Sequence, residues 1–189
     1  MQKHVFIAIR MTIATTVLLG LFYPLVVTGI AQTLFHNRAN GELIERQVAL
    51  IGSHLIGQQF SGPGYFHSRP SAAGDNGYDA TSSGGSNLGP TNQKLIDRVK
   101  ADVSRLQAGN PGAAIPVDLV TASASGLDPH ISPAAAEFQV PRIARERHLA
   151  ETAVRALVQA HTEPPQFGLL GDPRVNVLDL NLALDAQAK

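Results

Sequence analysis

Asp128 and His130, two positions apart, are the side chains in this sequence whose types and spacing most readily suggest chemistry. A carboxylate beside an imidazole can serve as part of a catalytic site or as two ligands of a metal ion. The pair stands in "SASGLDPHISP", residues 123–133, where Gly126, Pro129 and Pro133 shape the backbone. Asp128 precedes a proline, which disfavours helix, and its carboxylate can accept backbone amides from the turn it starts. On this reading Gly126, Asp128, Pro129 and His130 build a structural loop, and no catalytic residue and no metal ligand is assigned.

Other motifs point the same way. Seven histidines are present but no cysteine, and no His-x-x-x-His pair encloses a glutamate, so zinc has no framework. "DNGYD", residues 75–79, lacks the acidic alternation and closing glutamate of a calcium loop. The glycine-rich "SSGGSNLGP" could offer amides to an anion, but the Gly-Lys-Ser/Thr ending of a phosphate loop is missing. No Gly-x-Ser-x-Gly elbow indicates a serine hydrolase. Lysine plus arginine balance aspartate plus glutamate at 15 each, which gives no reason to expect a nucleic-acid partner.

The elements that must position these residues are an N-terminal apolar segment and one mixed domain. In 189 residues with 44% hydrophobic content there is room for one membrane segment plus one ordinary core. Residues 11–35, "MTIATTVLLGLFYPLVVTGIAQTLF", carry no formal charge. As a helix they extend about 37 Å, enough to cross a hydrocarbon layer of about 30 Å. Pro24 is expected to kink that helix, while Gly20 and Thr28, with Thr12, Thr15, Thr16 and Gly29, offer small or hydroxylated surfaces for close packing. Lys3 and Arg10 precede the span, and Arg38 and Arg46 follow it among Glu42 and Glu45. The positive-inside rule therefore predicts residues 1–10 as a cytoplasmic tail, 11–35 as the transmembrane helix and 36–189 as an extracytoplasmic, in bacteria periplasmic, domain.

Within that domain, "VALIGSHLIGQ" suggests a strand, and residues 61–92 hold so much Gly, Ser, Asn, Asp and Pro that regular structure is not expected. Tyr65, Phe66 and Tyr78, with Arg69 and Asn87 of the same loop, are read as facing a partner. "NQKLIDRVKADVSRLQAG" reads as a helix capped by Thr91 or Asn92, ending at Gly109, burying Leu95, Val99, Val103 and Leu106 and solvating Asp102. "AIPVDLVTAS" reads as a strand. Ser132 and Pro133 start a helix, Pro141 restarts the chain into another, and residues 176–185 fit strand or helix, because Leu178, Leu180, Leu182 and Leu184 alternate while Asn176 can cap. The fold class is α+β, one transmembrane helix followed by a single mixed domain.

"YFHSRPSAAG", "SSGGSNLGPTN", "ASASGLDPHISP" feeding "QVPRIARER", and the terminal "RVNVLDLNLALD", all behind an N-terminal span, resemble the C subunit of the bacterial Kdp potassium-transporting ATPase. The likeness runs in order over nearly the whole chain; His148 stands where that family is expected to place glycine between two helices. The resemblance implies a non-catalytic accessory subunit in the inner membrane. Its implied partners are an ATPase subunit, a potassium-channel-like subunit and membrane lipid. It assigns no cofactor to this chain, ATP acting through the ATPase subunit, although a role as a catalytic chaperone raising ATP affinity has been proposed for the family. The sequence itself has no Asp-Lys-Thr-Gly-Thr phosphorylation motif and no Thr-Val-Gly-Tyr-Gly filter, and one span cannot enclose a pore. The alternative is an independent tethered enzyme using Asp128, His130 and Arg69, or a solute-binding module.

Overall fold

The computed structural model describes residues 1–46 and 48–187; three residues of the expected 36–189 domain, 47, 188 and 189, lie outside them. Met1–Leu43 and Ile44–Lys189 form two compact units.

The first unit is one continuous helix, Gln2–Leu34, 33 residues long and apolar enough to cross a membrane. It begins well before residue 11, so Lys3 and Arg10 lie on the helix itself, with the Arg10 guanidinium 5.7 Å from the Phe6 ring. It is built as α1 (Gln2–Thr15), a π-helical segment (Thr16–Phe22) and α2 (Tyr23–Leu34), followed by the short α3 (His36–Ala39). The π segment lies just before Pro24, which has no N–H to offer the preceding turn; widening to a longer repeat, as in the bond from Tyr23 N–H to the Leu18 carbonyl, is the usual way a helix absorbs such a gap. None of its side chains is buried.

The paired strands β1 (Leu43–Arg46) and β2 (Ala49–Ser53) come next along the chain. Residues 61–92 then run without helix or strand to α4 (Gln93–Gly109). Asn92 caps α4 by accepting from the Lys94 amide at 2.9 Å. The expected stripe of α4 is only half-buried, and no residue of the helix is fully buried. "AIPVDLVTAS" is not a strand: Pro116 leads into a 3-10 turn, Val117–Leu119. The Asp118 carboxylate is there used locally, accepting from Ser132 N at 2.7 Å and Ser132 Oγ at 3.1 Å.

A three-stranded antiparallel sheet follows, in the order β3 (His130–Ile131), β5 (Arg174–Asn176), β4 (Thr162–Glu163), with His130 opposite Asn176 and Thr162 opposite Val175. Helices α5 (Pro133–Arg147), α6 (Glu151–Ala160) and α7 (Val177–Gln187) pack in succession beside it. Ser132 caps α5, accepting from Ala135 N at 3.0 Å, with Pro133 in the first turn. Pro141 does not restart the chain; α5 runs through it, because Val140, Ile143 and Ala144 on either side are buried and hold the helix despite one missing hydrogen bond. The chain breaks instead at His148, whose left-handed φ of 55° and ψ of 37° closes α5. The core centres on Ile131, Val140, Ile143, Val154, Leu180 and Leu184, all at most 2% exposed.

Residues 176–185 are helical. Asn176 ends β5 and caps α7, its Oδ1 accepting from Leu178 N at 3.0 Å and Asp179 N at 3.3 Å. Val177, Leu178, Leu180, Asn181 and Leu184 are all buried. A helix covered on most sides carries leucines around its circumference, which is why the alternation imitated a strand.

Candidate functional site

The segment 123–130 ties together several loops. Gly126 has φ +67°, and a Cβ there would stand 2.6 Å from the Gly84 carbonyl oxygen and 2.7 Å from Ala73 Cβ, so only glycine fits without a shift. The Gly126 carbonyl accepts from Ser71 Oγ at 2.6 Å, the Ser125 carbonyl from Gly84 N at 2.8 Å, and the Leu127 carbonyl from Gly57 N at 2.9 Å. The Pro129 carbonyl accepts from Val177 N at 3.0 Å. Asp128 accepts the His130 amide on one carboxylate oxygen at 3.0 Å and the Arg69 guanidinium on the other at 2.9 Å.

Asp128, His130 and Arg69 are thus brought together, with His130 Nδ1 3.6 Å from the carboxylate. Burial pushes the Asp128 carboxyl up, but the hydrogen bonds from His130 and the charge and hydrogen bond of Arg69 outweigh it and leave it below the ordinary carboxylate value. A carboxylate held ionised with both oxygens occupied is a poor proton acceptor, and the geometry is that of a loop anchor.

The stretch Gly62–Tyr78 is fastened by two buried amides that sequence reasoning missed. Asn181 of α7 accepts from Phe66 N at 2.8 Å and donates to the Phe66 carbonyl at 3.0 Å. Gln139 of α5 does the same for His67, at 2.8 and 3.1 Å. Each side-chain amide pairs with one residue's backbone as a neighbouring strand would, so the loop is satisfied without forming a sheet. Their signal in the sequence is a lone amide amid buried apolar helix positions, "EFQVP" and "DLNLAL".

The expectation that Phe66 faces a partner is corrected: it is fully buried, among the largest enclosed side chains of the domain. Tyr65 is half-buried, with the Arg147 guanidinium 4.5 Å over its ring and its hydroxyl 3.2 Å from Asp185. Tyr78 is half-buried and donates to the Arg69 carbonyl at 2.6 Å; burial chiefly raises its phenol above the ordinary value. Asn87 is exposed, at φ 50°.

Beside this loop lies a cavity of about 490 Å³, walled by the 59–78 segment, α4 and α5. Arg69, Arg98, Arg105 and Arg142 line it, whereas neither Asp128 nor His130 does. Asp102, expected in solvent, is half-buried between Arg98 at 3.3 Å and Arg105 at 3.0 Å. His67, also in the wall, is held below the ordinary imidazole value, first by burial and further by Arg142 and Arg105, while its hydrogen bond to the Gly62 carbonyl opposes.

A family model described as K+-transporting ATPase, c chain (KdpC), matches residues 5–186. The chain belongs to the KdpC family. The potassium-transporting ATPase KdpC subunit of Koribacter versatilis (strain Ellin345) is 63% identical over 185 residues, which cover 98% of this chain and 95% of that one. The corresponding protein of Acidobacterium capsulatum is 61% identical over 184 residues, 97% of this chain and 98% of its own. That of Rhodopseudomonas palustris (strain BisB5) is 55% identical over 200 residues and is matched from end to end. Membership in KdpC accords with a single apolar helix ahead of a mixed domain.

Proposed function

We propose that this chain is a non-catalytic accessory subunit of an ATP-driven potassium uptake complex, anchored by the Gln2–Leu34 helix and acting by stabilising the assembly. Relatives named as KdpC subunits of potassium-transporting ATPases support the complex. The observation that carries the assembly role is the helix itself: 33 residues long, apolar and with no buried residue along it. Lipid covers apolar residues, but it gives no reason for glycines; a Cβ on Gly20 would meet only Thr16 of its own helix at 3.8 Å, and one on Gly29 nothing. Small residues that the chain does not need for itself fit close approach by partner helices, here an ATPase subunit and a channel-like subunit. Gly20, Pro24 and Thr28 are the packing positions, and Tyr65, Arg69, Tyr78 and Asn87 remain candidate contacts of the domain.

The flanking charges orient the N-terminus toward the cytoplasm and residues 36–189 toward the periplasm. ATP lies on the opposite side, so any increase in ATP affinity of the ATPase subunit reaches it through subunit contacts. Single cysteines at the exposed positions Ser82 and Ala186, in a chain with no native cysteine, test the orientation. Both should react with an impermeant maleimide once the outer membrane is opened; labelling that needs inner-membrane lysis would reverse the topology. Purification through a tag on this chain should recover both partners, and recovery of neither would defeat the assembly role.

A further inference from the structure

The cavity between the 59–78 segment, α4 and α5 has a charge imbalance that the assembly role does not use. Three guanidinium groups, Arg98, Arg105 and Arg142, face one carboxylate, Asp102, which both Arg98 and Arg105 share. Arg69, the fourth lining arginine, is neutralised by Asp128. Arg142 has only uncharged acceptors in its hydrogen bonds: the Pro63 and Tyr65 carbonyls and Gln139 Oε1. Glu146 and Arg145, the other charges acting on Arg142 besides Arg105, pair with each other at 3.6 Å and leave the balance as it is. Two positive charges therefore stand uncompensated around one cavity.

A second observation falls on one of these arginines. The Nε of Arg98 is buried and has no hydrogen-bond acceptor among the described residues. A buried donor left unpaired is costly and uncommon. Arg142 is disfavoured as a cation first by burial and then by Arg105 and Arg145, with Glu146 opposing, so an anion would relieve it. Phe60, Tyr78 and Phe138 add aromatic side chains to the lining, and about 490 Å³ is the size of a site for a small organic molecule, larger than a bare ion needs.

We propose that this cavity binds a small phosphate monoester, its phosphate held by Arg98, Arg105 and Arg142 and its organic part against the aromatic side chains. Guanidinium forks match phosphate oxygens in geometry, and a monoester carries close to two negative charges at neutral pH, equal to the imbalance. A nucleoside triphosphate carries about twice that charge and fits the count poorly.

Isothermal titration of the full-length chain in detergent micelles tests this, with phenyl phosphate, inorganic phosphate, ATP and phenol as probes. Phenyl phosphate should bind saturably, inorganic phosphate more weakly, and phenol not at all. Arg98→Gln should weaken phenyl phosphate about tenfold or more, as expected for losing one charged hydrogen-bonding partner. Arg105→Gln, at a side chain 59% exposed and so safe for folding, should weaken it less. Arg155→Gln, on α6 away from the cavity, should leave binding unchanged. Repeating the titration in nanodiscs with and without phosphatidic acid separates the two sources of a monoester: competition by the lipid identifies a headgroup, and its absence a soluble ester. Absence of saturable binding, binding indifferent to both Arg98→Gln and Arg105→Gln, or ATP binding more tightly than phenyl phosphate would overturn the proposal. None of these outcomes bears on whether the chain assembles with its partners.

Discussion

The Arg69 guanidinium lies 2.9 Å from the Asp128 carboxylate and joins two loops 59 positions apart in the chain. Both side chains are about three-quarters shielded from water. The same carboxylate holds the His130 amide, so one side chain fixes both the turn at 128–130 and its attachment to the 61–92 loop.

Removing the charge and removing the acceptor should therefore differ. Asp128→Asn keeps an oxygen for the His130 amide, and should lower stability by about 1 kcal/mol; Asp128→Ala orphans that amide and Arg69, and should lower it by roughly 1–3 kcal/mol. The folded-state carboxyl is lowered, so below about pH 4 the unfolded chain takes up the proton first. The contribution of Asp128 is thus present above that pH and is lost as pH falls through the lowered value. Urea melts of the full-length protein should show the gap between wild type and Asp128→Asn constant from neutral pH down to about pH 4 and narrowing below it. A gap that stays constant below about pH 4 would count against the ion pair, and loss of potassium uptake by a stable, assembled Asp128→Asn complex would point to chemistry at this loop.

Gln139 and Asn181 each pair with both the N–H and the carbonyl of one loop residue, His67 and Phe66 respectively. Gln139→Leu or Asn181→Leu leaves both unpaired, at about 1–3 kcal/mol per group. Hydrogen exchange at the Phe66 and His67 amides should accelerate in the matching variant, Phe66 for Asn181→Leu and His67 for Gln139→Leu. Acceleration spread equally over both amides in each variant would show that the two clamps do not act separately.

His148 occupies a left-handed conformation between α5 and α6, where a side chain is strained by about 1–2 kcal/mol. His148→Gly should raise stability by about 0.5–1 kcal/mol, part of the relief being offset by the freer unfolded chain. An unchanged or lower denaturation midpoint would mean that the imidazole makes a compensating contact.

Gly20 has room within its own helix for a larger side chain, so Gly20→Leu should leave the isolated chain folded. Its effect should appear only with partners, as weaker co-purification and lower potassium uptake at limiting supply, while Thr16→Val does much less. Equal recovery of both variants, or full uptake by a chimera carrying an unrelated span, would reduce the helix to a tether.

Local chemistry was legible from residue order alone. An uncharged run over 11–35, the Asn92 and Ser132 caps, and the Asp-Pro turn each depend on neighbours a few positions away, and the family motifs lie in order along the chain. What needed three dimensions was every decision made by distant contacts. Phe66 looks like a loop aromatic until Asn181, 115 positions on, takes its backbone and the core takes its ring. The leucines of α7 alternate like a strand because the helix is buried on most sides, and burial is a property of the whole fold. Pro141 stays inside α5 because core packing around it outweighs one lost hydrogen bond. Asp102 reads as part of a solvated face until folding half-buries it between Arg98 and Arg105 and sets Arg142, from another helix, into the same cavity wall. Spacing along the chain specifies a cap or a turn, whereas the meeting of charges from separate segments depends on how the entire core closes.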